Sequence, residues 1–132
     1  ILPGLSARDR EAGLKMAVNL ARLIGENADS VRWARTFLEE FPSSRLADDV
    51  WLGLAKSLEE TGAPFRDVVQ AYEHAISRSD TANRSTARMM MSLGEYLSKM
   101  GELTQARKIF DQAARSLPDT ASASSKILLS RA

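Results

Sequence analysis

The residues with the clearest capacity for chemistry are His74, the adjacent acid pairs, and a run of three methionines. His74 is the only histidine in the 132 residues, and Glu73 and Arg78 stand beside it at the spacing of a helix surface. A general base needs a positioned partner and a proton within hydrogen-bond reach, and neither is encoded nearby, so His74 reads as an ordinary helical histidine. Glu39-Glu40, Asp48-Asp49 and Glu59-Glu60 invite a metal reading. Neighbouring residues on a helix diverge by about 100°, so the two members of each pair do not chelate one ion together. They read instead as helix-terminal and surface charge. Met89-Met90-Met91 offers soft sulfur ligands, but one helix cannot aim three successive side chains at a point. Met90 falls on the core phase. No catalytic site, cofactor site or metal site is expected.

Composition narrows the classes further. Cysteine is absent, which removes disulfides, thiolate metal sites and a thiol nucleophile. With 18 basic and 17 acidic residues, net charge gives no reason to expect nucleic acid. Arg84, Arg88, Lys99, Arg107, Lys108 and Arg115 are numerous in the last third, yet acids are interleaved with them and the two tryptophans lie elsewhere. No apolar run approaches the roughly 18 residues of a membrane span, so no direct insertion is expected. The hydrophobic content of 44% suits a single packed domain, and the scarcity of β-branched runs points to helices. The opening Ile1-Leu2-Pro3-Gly4 reads as a tether at an excised or processed start.

The elements that must position any site are therefore helices, and punctuation divides them. Ser6, with Asp9 three residues on, caps a helix to about Ile24 with stripe Leu14, Ala17, Val18 and Ala21, stopped at Gly25. Asp29 or Ser30 is expected to cap a second, Val31 to Phe41, stopped by Pro42. After Ser43-Ser44-Arg45, Leu46 to Thr61 carries Trp51, Leu54, Ala55 and Leu58 inward. Gly62-Ala63-Pro64 turns into a helix to about Ser77 with Phe65, Val68, Tyr72, Ala75 and Ile76. A fifth helix spans about Ala82 to Met100, with Met90, Leu93, Gly94 and Leu97 on one face. A sixth, ended by Pro118, carries Leu103, Ala106, Phe110, Ala113 and Leu117. Gly94 is expected to meet Ala106 or Ala113 at a close crossing, and Trp51 and Phe110 to be largely buried. Ser122 to Ala132 reads as a seventh helix, whose Ile127, Leu128 and Leu129 need cover.

Met90, Leu93, Gly94, Leu97, Ala106, Phe110 and Pro118 stand at the spacing of the tetratricopeptide repeat, with Gly101 and Ala113 in keeping. This third stretch resembles that family, with Met and Leu in place of its usual Trp and Tyr. Gly25 and Pro42 repeat the interval between Gly101 and Pro118, so the resemblance extends over about residues 11–44, 48–82 and 87–120, with 121–132 as a capping helix. The segment from Phe41 to Trp51 is similar to a junction in envelope members of the family, which leaves bacterial periplasm and cytoplasm both open. The resemblance implies an all-α solenoid of three antiparallel hairpins in a right-handed superhelix, and a non-catalytic scaffold or adaptor that binds a protein or peptide in its concave groove. It leaves open two alternatives: stacking through its ends into an oligomer, and service as a regulatory domain of a longer chain. A monomer or weak homo-oligomer is expected.

In such solenoids the first helix of each hairpin lines the groove. That places Lys15, Asn19 and Arg22 in it from the first repeat, Asp49, Leu52, Lys56 and Glu59 from the second, and Arg88, Met91, Glu95 and Lys99 from the third. Some members of the family grip a partner's terminal carboxylate with five such residues. Lys15 and Asn19 match two of those columns and Arg88 substitutes in a third, while Gly53 and Ser92 depart. The resemblance therefore implies weakened carboxylate capture, with a residual preference for acidic segments.

Overall fold

The computed structural model describes residues 6–79 and 84–116. Among these, every regular element is helical: α1 (Ala7–Leu23), α2 (Asn27–Glu40), α3 (Ala47–Glu60), α4 (Phe65–Arg78), α5 (Arg84–Lys99) and α6 (Leu103–Ser116). The expected tether 1–5, the start of the fifth helix before 84, Leu117, Pro118 and the capping helix 121–132 lie outside the described residues. The chain divides into two compact units, one up to Ala75 and one from Ile76 on, the division falling inside α4. No helix among the described residues is long and apolar enough to cross a membrane.

The same device ends α1, α3 and α5. Gly25, Gly62 and Gly101 take φ of 84°, 72° and 83°, a left-handed conformation that costs glycine little and other residues much. The residue after each glycine then donates its N–H to the carbonyl five positions back: Glu26 to Ala21 at 2.8 Å, Ala63 to Leu58 at 2.9 Å, and Glu102 to Leu97 at 2.8 Å. These are three Schellman caps, each satisfying carbonyls that the helix end leaves without partners. Helices α2 and α6 begin on the very next residue, whereas Pro64 intervenes before α4, the one-residue extension written in Gly62-Ala63-Pro64.

In the first unit α1 packs on α2, and α3 on both. Ser6 caps α1, its Oγ accepting the Asp9 N–H at 3.1 Å. Arg10 near the start of α1 donates two bonds of 2.6 Å to Glu40 at the end of α2, closing the open end of the hairpin. That guanidinium holds the Glu40 carboxyl below the usual carboxylate range, and the carboxylate raises Arg10 in turn. Leu14, Val18, Ala34, Phe37, Val50, Leu54, Ala55, Val68 and Tyr72 form the core. A buried polar thread crosses it: Ser57 of α3 donates to Ser30 of α2 at 3.0 Å, and Ser30 donates to the Val18 carbonyl of α1 at 3.0 Å.

Ser30 is therefore not the expected cap of α2. The Glu26 N–H is already committed to the cap of α1, so the chain has turned by residue 26 and the helix starts at Asn27. Trp51 is also less enclosed than expected. It is half-buried, its ring lying flat on exposed His74 of α4 at 4.3 Å and 16°.

In the second unit α5 and α6 pair. Ala87, Met90 and Ala113 form a cluster against which Ile76, Met91 and Ile109 pack. The nearest neighbours of Gly94 are Phe110 and Ile109 rather than the expected Ala106 or Ala113. A β-carbon on Gly94 would lie 2.7 and 2.8 Å from two ring carbons and 3.0 Å from Ile109 Cγ2, so the ring occupies the space the missing side chain leaves. Phe110, Ala106 and Ala113 are buried as expected, but Leu103 is 67% exposed. Helical side chains lean toward the N-terminus, and at the first residue of α6 that direction leads past the end of the helix. Met89, Tyr96 and Thr86 are also buried, so α5 is covered over more than the single stripe its sequence predicts.

Candidate binding pocket

Packing of α1 against α3 brings two helical faces to one concavity. Lys15, Asn19 and Arg22 recur at i, i+4 and i+7 along α1, and Asp49, Leu52, Gly53 and Lys56 at i, i+3, i+4 and i+7 along α3. Together they line a pocket of about 150 Å³. Buried Gly53 sits on the α3 side, where a β-carbon would make only ordinary contact with Val18 Cγ1 at 3.5 Å. Alanine would fit, so space alone does not demand glycine there.

The electrostatics are lopsided. Lys15, Arg22 and Lys56 bring three positive charges, and Asp49 is the single acid in the lining. Asp49 takes Lys15, Nζ to Oδ2 at 3.3 Å, which holds that ammonium across the mouth of the helix pair. Arg22 is different. Its Nε is shut away from solvent and has no hydrogen-bond partner among the described residues. A buried donor without an acceptor costs about 1–3 kcal/mol, more when the group is charged, so an acceptor that reached it would recover that energy. Leu52 supplies an apolar wall.

Six of the eleven groove residues read from the sequence, Lys15, Asn19, Arg22, Asp49, Leu52 and Lys56, are thus brought together. Glu59 is turned away from them, its carboxylate accepting the Tyr72 hydroxyl at 2.9 Å. Arg88, Met91, Glu95 and Lys99 all lie on α5 of the second unit. Arg88, Glu95 and Lys99 are exposed, while Met91 is partly buried against the Ala87–Met90–Ala113 cluster.

A second concavity of about 240 Å³ lies between α3 and α4, lined by Arg35, Trp51, Leu54, Leu58, Asp67, Gln70, Ala71 and His74. Its charges are of both signs, and its histidine is stacked face to face on tryptophan. Among the described residues no three His, Cys, Asp or Glu side chains gather as a metal site would require. Neither protein-family models nor curated proteins give a match to this chain.

Proposed function

We propose that this chain is a tetratricopeptide-like scaffold of three hairpins, and that it binds a protein partner through an acidic segment seated on α1 and α3. The repeat reading draws support from the three equivalent caps at Gly25, Gly62 and Gly101 and from the packing of neighbouring helices in order. The binding reading is carried by one observation: Arg22, which lines a pocket with excess positive charge, has a buried Nε without an acceptor among the described residues. A carboxylate is the simplest occupant, since charge-assisted hydrogen bonds to it are about twice as strong as neutral ones. In this reading the role is non-catalytic.

The test is a titration of a Glu-rich peptide and its Gln-substituted twin against wild type, Arg22→Gln and Lys56→Gln, at low and high salt. The acidic peptide should bind better than its twin, and each substitution should erase much of the difference. Equal binding of the two peptides to wild type would remove carboxylate recognition. An unchanged preference in both variants would move the site away from this pocket.

A further inference from the structure

The face of α1 turned away from Leu14, Val18 and Ala21 is apolar as well. Met16, Leu20, Leu23 and Ile24 fall at i, i+4, i+7 and i+8, and are 70%, 60%, 75% and 61% exposed. Exposed Ala12 and Gly13 continue the stripe toward the N-terminus. Large apolar side chains scattered singly need no explanation, but four on one helical face form a patch of the kind that marks an interaction surface. One edge of the stripe is the cationic pocket, because Lys15, Asn19 and Arg22 lie on α1 between the stripe and α3.

Charge decides among the possible occupants. Two copies of α1 paired antiparallel across this face, centred between Met16 and Leu20, would set Lys15 of one beside Arg22 of the other. A parallel pair would set the same edge against Arg10, whose acidic partner Glu40 is already engaged. The chain's own residues 117–132 carry Lys126 and Arg131 around Ile127, Leu128 and Leu129, with Asp119 as their single acid. Both would bring like charge to a cationic edge, which is destabilising. A lipid surface suits basic residues on both flanks of an apolar face, with long side chains reaching headgroups. Here Lys15 and Arg22 crowd one edge, while Arg10 toward the other is tied to Glu40.

We infer that the outer face of α1 docks an amphipathic helix of a partner protein, its apolar ridge covering Met16, Leu20 and Leu23 and its acidic edge lying along Lys15, Arg22 and Lys56. Helix-on-helix recognition of this sort uses anchors at i, i+4, i+7 spacing, which the stripe complements. The acidic edge rests on the carboxylate capture proposed above, whereas the apolar ridge stands without it.

Three synthetic peptides of about 16 residues separate these parts: one with a Leu ridge and a Glu edge, a twin with Gln for Glu, and a twin with Ser for Leu. Each is titrated by fluorescence anisotropy against the full chain and against Leu20→Ser/Leu23→Ser. These side chains are exposed, and circular dichroism checks that the variant keeps its helices. The first peptide should bind and gain helicity. Replacing its Leu ridge, or the two protein leucines, should weaken binding at least about tenfold, and replacing Glu by Gln should weaken it less, in a salt-dependent way. If the Ser-ridge twin binds as well as the first peptide, this inference fails while the carboxylate reading stands. If the Gln twin matches the first peptide, the acidic edge fails together with that reading. Absence of binding by the first peptide overturns the proposal. So does sedimentation as a dimer that Leu20→Ser/Leu23→Ser abolishes, or binding to phosphatidylserine vesicles that the same variant abolishes.

Discussion

The thread from Ser57 through Ser30 to the Val18 carbonyl predicts an asymmetric pair of mutants. All of its side chains are fully buried, so water cannot replace a lost partner. Ser57→Ala removes the first donor and leaves Ser30 bonded to Val18, a loss of one neutral hydrogen bond, about 0.5–1.5 kcal/mol. Ser30→Ala removes the middle member. The Val18 carbonyl keeps the bond of its own helix, but the Ser57 hydroxyl is left as a buried donor with nothing to receive it, at about 1–3 kcal/mol. In Ser30→Ala/Ser57→Ala no donor is stranded, so the double mutant should be no less stable than Ser30→Ala alone. That implies a coupling energy of about 1 kcal/mol. Urea denaturation followed by tryptophan fluorescence suits the question, because both tryptophans, Trp33 and Trp51, lie in the first unit with the serines. The midpoint should shift with an unchanged slope. Additive losses would refute the argument, as would equal losses in the two single mutants. The second result would mean that the Ser57 hydroxyl had turned back to the carbonyl of Gly53, four residues earlier in its own helix.

Two further predictions concern Gly94 and the Arg10–Glu40 pair. Gly94→Ala places a β-carbon 2.7 Å from the Phe110 ring, and should cost about 1–3 kcal/mol in thermal or urea unfolding. In a Phe110→Leu background the cost of Gly94→Ala should fall, and an equal or larger cost of the alanine there would deny the contact. For Glu40, the folded carboxyl is held down by Arg10, so its contribution to stability is present above the unfolded carboxylate range and is lost as pH falls through the lowered folded value. The melting-temperature gap between wild type and Glu40→Gln should therefore narrow as pH falls below the ordinary carboxylate range, and high salt should narrow it at neutral pH because the pair is exposed. A gap that widens in acid would contradict the sign.

Much of this architecture is legible in the sequence because it depends on local chemistry. Gly25, Gly62 and Gly101 mark where three helices stop, and Pro42 and Pro64 bound two others, as any chain with those residues would require. The stripes through Leu14–Val18–Ala21 and Ala106–Phe110–Ala113 follow from helical period alone. What escaped depends on partners distant in sequence. Ser30 looks like a cap until Val18 and Ser57 are brought beside it. Trp51 looks like core until His74 is seen to cover one face of its ring. Gly94 looks like a site for small neighbours, yet its lack of a side chain admits the largest residue of α6. At the pocket, the repeat resemblance set the first and third helices along one groove and helical phase then picked out Lys15, Asn19, Arg22, Asp49, Leu52 and Lys56, but neither could tell that Arg22 would lack an acceptor. The exposed stripe of Met16, Leu20, Leu23 and Ile24 was written in the same period and was hidden by the inward stripe beside it.

The three caps have a consequence for how such a chain lengthens or shortens. Each closes within its own turn, using a glycine, the residue after it and a carbonyl five positions before that residue, with no atom borrowed from another hairpin. A turn of that kind carries its own punctuation wherever it is placed. Duplication of a hairpin would bring its stop signal along, and deletion would remove it cleanly, leaving the neighbouring turns closed as before. The Pro64 extension shows how far the device tolerates editing: one residue is added between cap and helix, and the cap keeps the 2.9 Å bond from Ala63 to Leu58. Selection can then act on hairpin number and on outward-facing residues separately, because the turn geometry is not at stake in either.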